Sequence, residues 1–352
     1  MFVVPAAANG MGGASVASTE SGSEISNPAA LSIYHLDHGF RLMAPSSTQW
    51  APNFGPSINL KSWGVSAGRH VLGTKAKRND IQLLLALGYT HTELDLGLTT
   101  FVNTQETIIG IAPVSEESDA LVLSVALGLR NRVQLGVGLS VKHLNETVSD
   151  FFVEYDPRLS KSTNTAHDIG AFVYLPVINR DRTSKQGRQG SLSLSAGFVL
   201  ANLGSEVRTI LDGGYYVDSL PRVERVGGTV TGALRFSSWL DLSTKLIYER
   251  ETDRIGNLLP IERRGMEIGF NNALFIRRGQ FSRGFDNSDV KTWGAGFKLR
   301  GLLDWILGEQ SRNDDSKQSR IFMRHLDITI DYARYSGDIL SGTEFLQTSI
   351  SF

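Results

Sequence analysis

Apolar and polar residues alternate over long segments of this chain, most clearly in its middle. Between Leu121 and Leu129 the odd positions are Leu121, Leu123, Val125, Leu127 and Leu129, and the even ones include Ser124, Ala126 and Gly128. After a two-residue turn at Asn131-Arg132, Val133, Leu135, Val137, Leu139 and Val141 take one face, while Gln134, Gly136, Gly138, Ser140 and Lys142 take the other. Strand side chains point alternately to opposite faces, so each segment sets an apolar surface against a small and polar one. A soluble sandwich would carry bulky charges on its outer face; a face of Gly and Ser suits a crowded or water-lined lumen.

The same alternation predicts strands at Ile33–Met43, Ile58–Gly68, Ile81–Tyr89, Glu93–Val102, Ala166–Leu175, Ser191–Leu200, Arg222–Phe236, Leu240–Glu249, Gly265–Ile276, Val290–Leu299, Leu326–Tyr332 and Phe345–Phe352. Met43–Pro56, with Pro45, Pro52 and Pro56, reads as a connection. Ile108–Asp119, with Glu116, Glu117 and Asp119, reads as an irregular, solvated loop. Roughly fourteen strands joined by tight turns and polar loops describe an antiparallel up-and-down meander. In lipid an unpaired backbone group costs several kcal/mol, so the meander is expected to close into a transmembrane β-barrel of all-β class. Gly301–Gly308, GLLDWILG, breaks the alternation. It reads either as a short helix or interfacial anchor around Trp305, or as a strand extension beside the polar loop Glu309–Arg320.

Before the strands lies Asn9–Ser32, NGMGGASVASTESGSEISNPAALS, almost devoid of large side chains until Ala29-Ala30-Leu31. Glycines and small residues let a backbone pack into a confined space. This stretch is expected to be a luminal hatch, with Gly10, Gly12, Gly13, Asn27, Pro28 and Ala29 as its defining positions and Asn27–Ala29 as the point where the chain turns from lumen to wall. The expected organisation is a hatch over residues 1–32 and an outer-membrane barrel over 33–352. Residues 1–8 are expected to be a signal-peptide remnant with small residues at Ala6–Ala8.

Composition narrows the function classes. The 41% hydrophobic fraction is too high for disorder, and no stretch approaches 18 consecutive apolar residues, which excludes a transmembrane helix but not a barrel. A net charge of -1, from 35 basic and 36 acidic residues, leaves no electrostatic footprint for nucleic acid. With no cysteine there are no disulfides, thiol catalysts or thiolate metal sites. His35 and His38 are close, but their spacing puts them on opposite sides of a turn or strand, so no metal is expected. There is no Gly-x-Ser-x-Gly elbow and no phosphate loop at Gly10–Gly13. The chain is therefore not expected to be an enzyme or to carry a cofactor.

Several short motifs add a resemblance. Gly10-Met11-Gly12-Gly13-Ala14 with Val16-Ala17, then Asn27-Pro28-Ala29 and Leu31, resembles the N-terminal signature of the FadL superfamily of outer-membrane proteins, and more closely its PorV/PorQ branch. Gly136–Lys142, Ala166 with Asp168-Ile169-Gly170, and Asn202-Leu203-Gly204 are similar to later family motifs. So are Leu220-Pro221-Arg222 before Gly227, Gly294–Lys298 and Asp331-Tyr332-Ala333. The terminal Phe352, with Leu346 and Ile350 at alternate preceding positions, matches the last strand of bacterial outer-membrane barrels.

The resemblance implies a 14-stranded barrel with a luminal hatch in the bacterial outer membrane, in contact with outer-membrane lipid. On the PorV side it implies type IX secretion, with a translocon subunit or cargo C-terminal signal domains as partners. The loop Asp150–Thr165 would supply the anchors Phe151, Phe152 and Tyr155. The alternative is FadL-like transport of long-chain fatty acids or other hydrophobic small molecules through a lateral opening. That would require an apolar luminal pocket with a cationic clamp, for which Arg130, Lys142, Lys245 and Arg300 are candidates.

Overall fold

The computed structural model describes residues 5–36, 38–49, 58–72, 81–102, 108–129, 133–148, 161–179, 189–204, 206–211, 214–237, 240–254, 259–282, 289–307, 326–337 and 340–352. The wall opens with β1 (Phe40–Gln49), β2 (Asn59–Leu72), β3 (Gln82–Val102), β4 (Ile108–Leu129), β5 (Val133–Val148), β6 (Lys161–Asn179) and β7 (Gln189–Gly204). A separate hairpin follows, β8 (Glu206–Leu211) with β9 (Gly214–Ser219). The wall then resumes with β10 (Val223–Arg235), β11 (Asp241–Asp253), β12 (Ile261–Phe270), β13 (Leu274–Ser282), β14 (Asp289–Lys298), β15 (Asp327–Ser336) and β16 (Glu344–Ser351). These fourteen wall strands form a closed antiparallel barrel in which β7 pairs with β10 and β16 returns to β1. Phe40 and Phe352 lie at the same end, here the terminal end.

The two faces divide as the alternation predicts. Leu121, Leu123, Val137, Leu139 and Ile169 are exposed on the outside, whereas Ser124 and Ser140 are buried inside. Toward the far end the outer apolar face stops along one row, where His91 stands opposite Asp119 and Asp119 opposite His143. From Ile81 to Tyr89 the apolar face of β3 spans roughly 20 Å across a wall whose strands tilt by about 40°. That fits the ~25 Å lipid-facing band of a transmembrane barrel. Satisfied strands facing lipid outside and a packed interior make this a bacterial outer-membrane barrel.

The interior is filled by the N-terminal segment: α1 (Ala6–Gly10), a 3₁₀ turn at Ser23–Ile25, and α2 (Ala30–His35). From Ala6 to His35 this segment makes one circuit of the inner wall, meeting the strands in reverse order. Ala6 N–H donates to Gln347 of β16 at 2.9 Å, and Gly10 lies on Gly294 of β14. Met11 presses on Gly279 of β13 and Gly265 of β12, and Val16 on Gly227 of β10 and Gly197 of β7. Asn27 and Pro28 cover Gly170 of β6, and Pro28 covers Gly138 of β5. Ala29 and Ile33 meet Gly136, Leu31 meets Gly88 of β3, and His35 meets Gly68 of β2. A Cβ at Gly197 would stand 2.0 Å from the Val16 carbonyl oxygen, and one at Gly138 2.3 Å from the Pro28 carbonyl carbon. The Gly-rich inner face is therefore the bed of the hatch, and the lumen is crowded at this level.

The structure corrects several boundaries. The predicted strand Ile33–Met43 is divided: residues to His35 belong to α2 inside the lumen, and the wall begins at Phe40. The turn from lumen to wall thus follows α2 instead of lying at Asn27–Ala29. There the Asn27 carboxamide oxygen accepts from Ala29 N–H at 3.0 Å, setting up the entrance to the helix. Much of the expected connection after Met43 is strand β1, and the expected acidic loop Ile108–Asp119 is the first half of β4, paired to β3 and β5. The single strand predicted at Gly265–Ile276 straddles the tight turn between β12 and β13, where Asn271 and Asn272 adopt φ of 53° and 51°. Asn tolerates that left-handed region, so the turn needs no glycine.

Substituting Gly197→Leu is expected to leave the barrel folded but to unseat the hatch. Planar-bilayer recordings would then show a conducting pore where the parent barrel is closed.

Candidate functional site: a blocked lumen and a gap in its wall

Polar side chains of the wall hold the hatch by its backbone. Glu249 Oε2 accepts from Ser15 N–H at 2.7 Å and Val16 N–H at 2.9 Å. Thr292 accepts from Gly12 N–H at 2.9 Å and donates to the Gly10 carbonyl at 3.0 Å. Tyr335 donates to Asn9 Oδ1 at 2.7 Å. The carboxamide of Asn27 donates to the Val16 carbonyl at 2.8 Å and to Ala171 of β6 at 3.1 Å, tying hatch to hatch and hatch to wall. All six predicted hatch residues, Gly10, Gly12, Gly13, Asn27, Pro28 and Ala29, are buried. Gly12 and Gly13 take φ of +75° and +77°, which explains glycine at both.

Charge fastens the hatch at two more points. Glu24 forms a two-pronged ion pair with Arg41 of β1, both side chains fully buried, and the Tyr34 ring lies 5.0 Å from the guanidinium carbon. Glu20 pairs with Lys245, which continues through Glu267 to Arg277 and Asp331, the last two links both at 2.6 Å. Burial alone would raise the Glu20 carboxyl, but Lys245 and Arg277 outweigh it and hold the group well below the usual carboxylate range. His35 sits between the His38 carbonyl at 2.8 Å and Ser66 Oγ at 2.9 Å, and its burial lowers its pKa from 6.5 to about 4. The two neighbouring histidines thus belong to the end of the hatch, where Tyr34 stacks on His38 at 4.6 Å.

The candidate cationic clamp is not brought together. Lys142 is paired to Asp168 at 2.5 Å, Lys245 to Glu20 and Glu267, and Arg300 is exposed on a helix at the terminal end. Arg130 lies outside the described residues, as do Phe151, Phe152 and Tyr155 of the expected partner loop.

The wall itself has a discontinuity. β1 and β16 pair only from Arg41↔Ser351 to Met43↔Ser349, with backbone bonds from Gly39 and Phe40 to Phe352 completing the contact. β16 continues to Glu344 against β15, and β1 continues to Gln49 against β2 after a bulge between Met43 and Ser46. Beyond Met43 the ladder is broken although the strands stay side by side, with Thr48 of β1 facing the same recess as Phe345 and Gln347 of β16. A recess of about 20 Å³ lies there, bounded by Pro5, Ala6 and Ile25 of the hatch and by Met43, Leu60 and Phe345 of the wall. On its far-end side Leu60, Leu94, Val290, Tyr335, Leu340 and Phe345 form an apolar luminal cluster that includes Ala6. Its rings are in contact, with centroids 5.0 Å apart for Tyr335 and Phe345 and 5.5 Å for Tyr335 and Phe281. On the terminal side of the hatch is a cavity of about 820 Å³ walled by Lys245, Glu267, Arg277, Lys298 and Asp331. The hatch therefore separates a packed apolar cluster beside the break from a charged vestibule. The sequence signal for the gap was Pro45: a proline without an N–H is confined to edge strands and bulges, and it sits inside β1.

No family model and no curated protein matches the chain. Among solved structures it is similar to the TodX deltaS2S3 mutant monoaromatic hydrocarbon channel, at 11% identity over 99% of this chain and 96% of that one, with a TM-score of 0.46. It is also similar to the Ralstonia pickettii toluene transporter TbuX, at 10% identity over 99% and 97%, with a TM-score of 0.43. The transport unit of the autotransporter AIDA-I from Escherichia coli gives 11% identity over 89% and 88%, with a TM-score of 0.41. Likeness of this degree speaks to neither substrate nor partner.

Two outcomes follow from the hatch contacts. Glu24→Gln strands a buried guanidinium, a change that costs about 3–5 kcal/mol, and is expected to speed hydrogen exchange of hatch amides roughly a hundredfold or more. The double variant E24M/R41M should recover much of that loss. Because His35 is held neutral with a lowered pKa, the unfolded hatch binds the extra proton, and seating weakens as pH falls from 6.5 to about 4. Channel openings in planar bilayers should rise over that interval in the parent barrel, and His35→Gln should flatten the rise.

Proposed function

We propose that this barrel transfers hydrophobic compounds from the cell exterior into the outer membrane through the gap between β1 and β16, with the hatch as its gate. The observation that carries the reading is the coincidence of three features at one place. The apolar luminal cluster, the early end of β1–β16 pairing and the first hatch residues, Pro5 and Ala6, all meet at the recess. The far end bears the parts of β3 and β4 that project past the apolar band, which makes it the extracellular side.

An apolar solute arriving there gains about 25 cal/mol for each Å² removed from water on the Leu60–Leu94–Phe345 surface. Going straight on would take it past the ion pairs of the vestibule, which offer an apolar solute nothing. Leaving sideways keeps it in apolar surroundings, since Leu346 beside the gap already faces lipid. The Ala6–Gln347 hydrogen bond ties the first hatch helix to β16 at the recess, so a shift of α1 would release β16 there. The FadL side of the sequence resemblance agrees with this route. A role in type IX secretion, with a translocon subunit or cargo as partner, rests instead on a loop outside the described residues.

The chain has no cysteine, so a thiol pair can be placed cleanly. In a Gln49→Cys/Glu344→Cys variant bridged by a cleavable bifunctional thiol reagent, uptake of a labelled fatty acid or aromatic hydrocarbon should drop to the level of cells lacking the barrel and return on cleavage. Unchanged uptake in the bridged barrel overturns the route. Absence of uptake by the parent barrel, together with its co-purification with a translocon or cargo C-terminal domain, overturns the function.

A further inference from the structure

We propose that α3 (Leu299–Leu307) is a membrane-surface anchor that lies among the lipid headgroups of the periplasmic leaflet. The helix leaves β14 with no linker, and its start is fixed to the barrel. Lys298 N–H donates to the Ala273 carbonyl at 2.7 Å, and a Cβ on Gly301 would stand only 1.9 Å from the Asn272 carbonyl oxygen. The helix is thus pressed against the turn between β12 and β13.

Around its axis Leu299, Leu302, Leu303, Trp305 and Ile306 share one broad face, and Arg300 and Asp304, one turn apart, take the opposite one. The barrel covers only the first part of the apolar face. Leu299, Leu302 and Leu303 are half-buried, whereas Trp305 is 45% and Ile306 67% exposed. Trp305, the largest apolar side chain of the helix, is therefore left largely uncovered, together with Ile306.

Continuity with the lipid-facing wall identifies the cover. Phe297, two residues before the helix, stands between Leu274 of β13 and Ile330 of β15, both exposed on the outer wall. Above them Ala295 pairs with Ile276 and Tyr332, and above those Trp293 marks the outer interface in contact with Tyr332 at 5.3 Å. From Trp293 to Leu299 the chain covers roughly 20 Å along the strand, or about 15 Å across the tilted wall. The start of α3 beside the turn between β12 and β13, at the terminal end of the lipid-facing wall, puts the helix where the hydrocarbon ends. Tryptophan favours that level, and a helix with one apolar and one charged face lies in its plane.

Single-cysteine variants at Trp305, Ile306, Arg300, Asp304 and, as a lipid-facing reference, Leu121 can be spin-labelled and placed one barrel per phospholipid nanodisc. Heat-modifiable mobility on gels confirms that each barrel is folded. Labels at 305 and 306 should be relaxed by oxygen more than by a water-soluble nickel chelate, as at 121, while labels at 300 and 304 should show the reverse. Chelate access at 305 and 306 equal to that at 304 overturns the anchor. Shielding from both reagents also overturns it, because it shows a protein surface over the helix.

Discussion

The approach of one backbone to another without side chains between them is the constraint on which the structure depends. Val16 over Gly197 and Gly227, Met11 over Gly265 and Gly279, and Pro28 over Gly138 are contacts that no larger wall residue admits. Because they recur on strand after strand, the hatch is a coil fitted to a groove of glycines, and the barrel is plugged at mid-height. A Gly-rich wall exposed to water would sacrifice side-chain packing for nothing, whereas here the missing volume is occupied by another segment of the same chain.

Charge then decides where that coil is held hardest. Burying Glu24 and Arg41 is favourable only because each neutralises the other, so the pair contributes little net stability yet makes departure of Glu24 alone costly. It ties the hatch to β1, one side of the seam, while Ala6 ties it to β16, the other side. The hatch therefore bridges the place where the wall has least hydrogen bonding of its own. Glu20 reaches Lys245 on the vestibule side, so the charged network bears on the gate from below and the apolar cluster from above.

Much of this was legible in the chain. Leu121–Leu129 and Val133–Val141 alternate so strictly that closure, inside and outside followed, and Asn9–Ser32 announced the hatch by lacking bulk. The missed elements share a cause. Ile33 and Tyr34 are apolar enough for a strand, but the hatch needs them to cap its circuit, and the seating of Ile33 on Gly136 and of His35 on Gly68 keeps this stretch helical. Glu116 and Glu117 resembled a loop because sequence alone does not show that β4 outruns the membrane into water, where charged strand faces are at no disadvantage. The partners of Lys142 and Lys245 come from the neighbouring strands β6 and β12 and from the hatch, pairings that strand register decides, so both lysines looked free when each was already neutralised.

The reverse winding of the hatch bears on how the protein is assembled. The hatch must touch the last strand of the wall, since Ala6 bonds to Gln347 across 341 residues. None of its groove exists until the intervening strands have paired, so its seating is delayed to the end of folding, and contacts of such long range make that step slow. A chain cut short anywhere before β16 would keep its hatch sequence intact yet have nowhere to put it. The plug and the final closure of the wall are, in this sense, a single event.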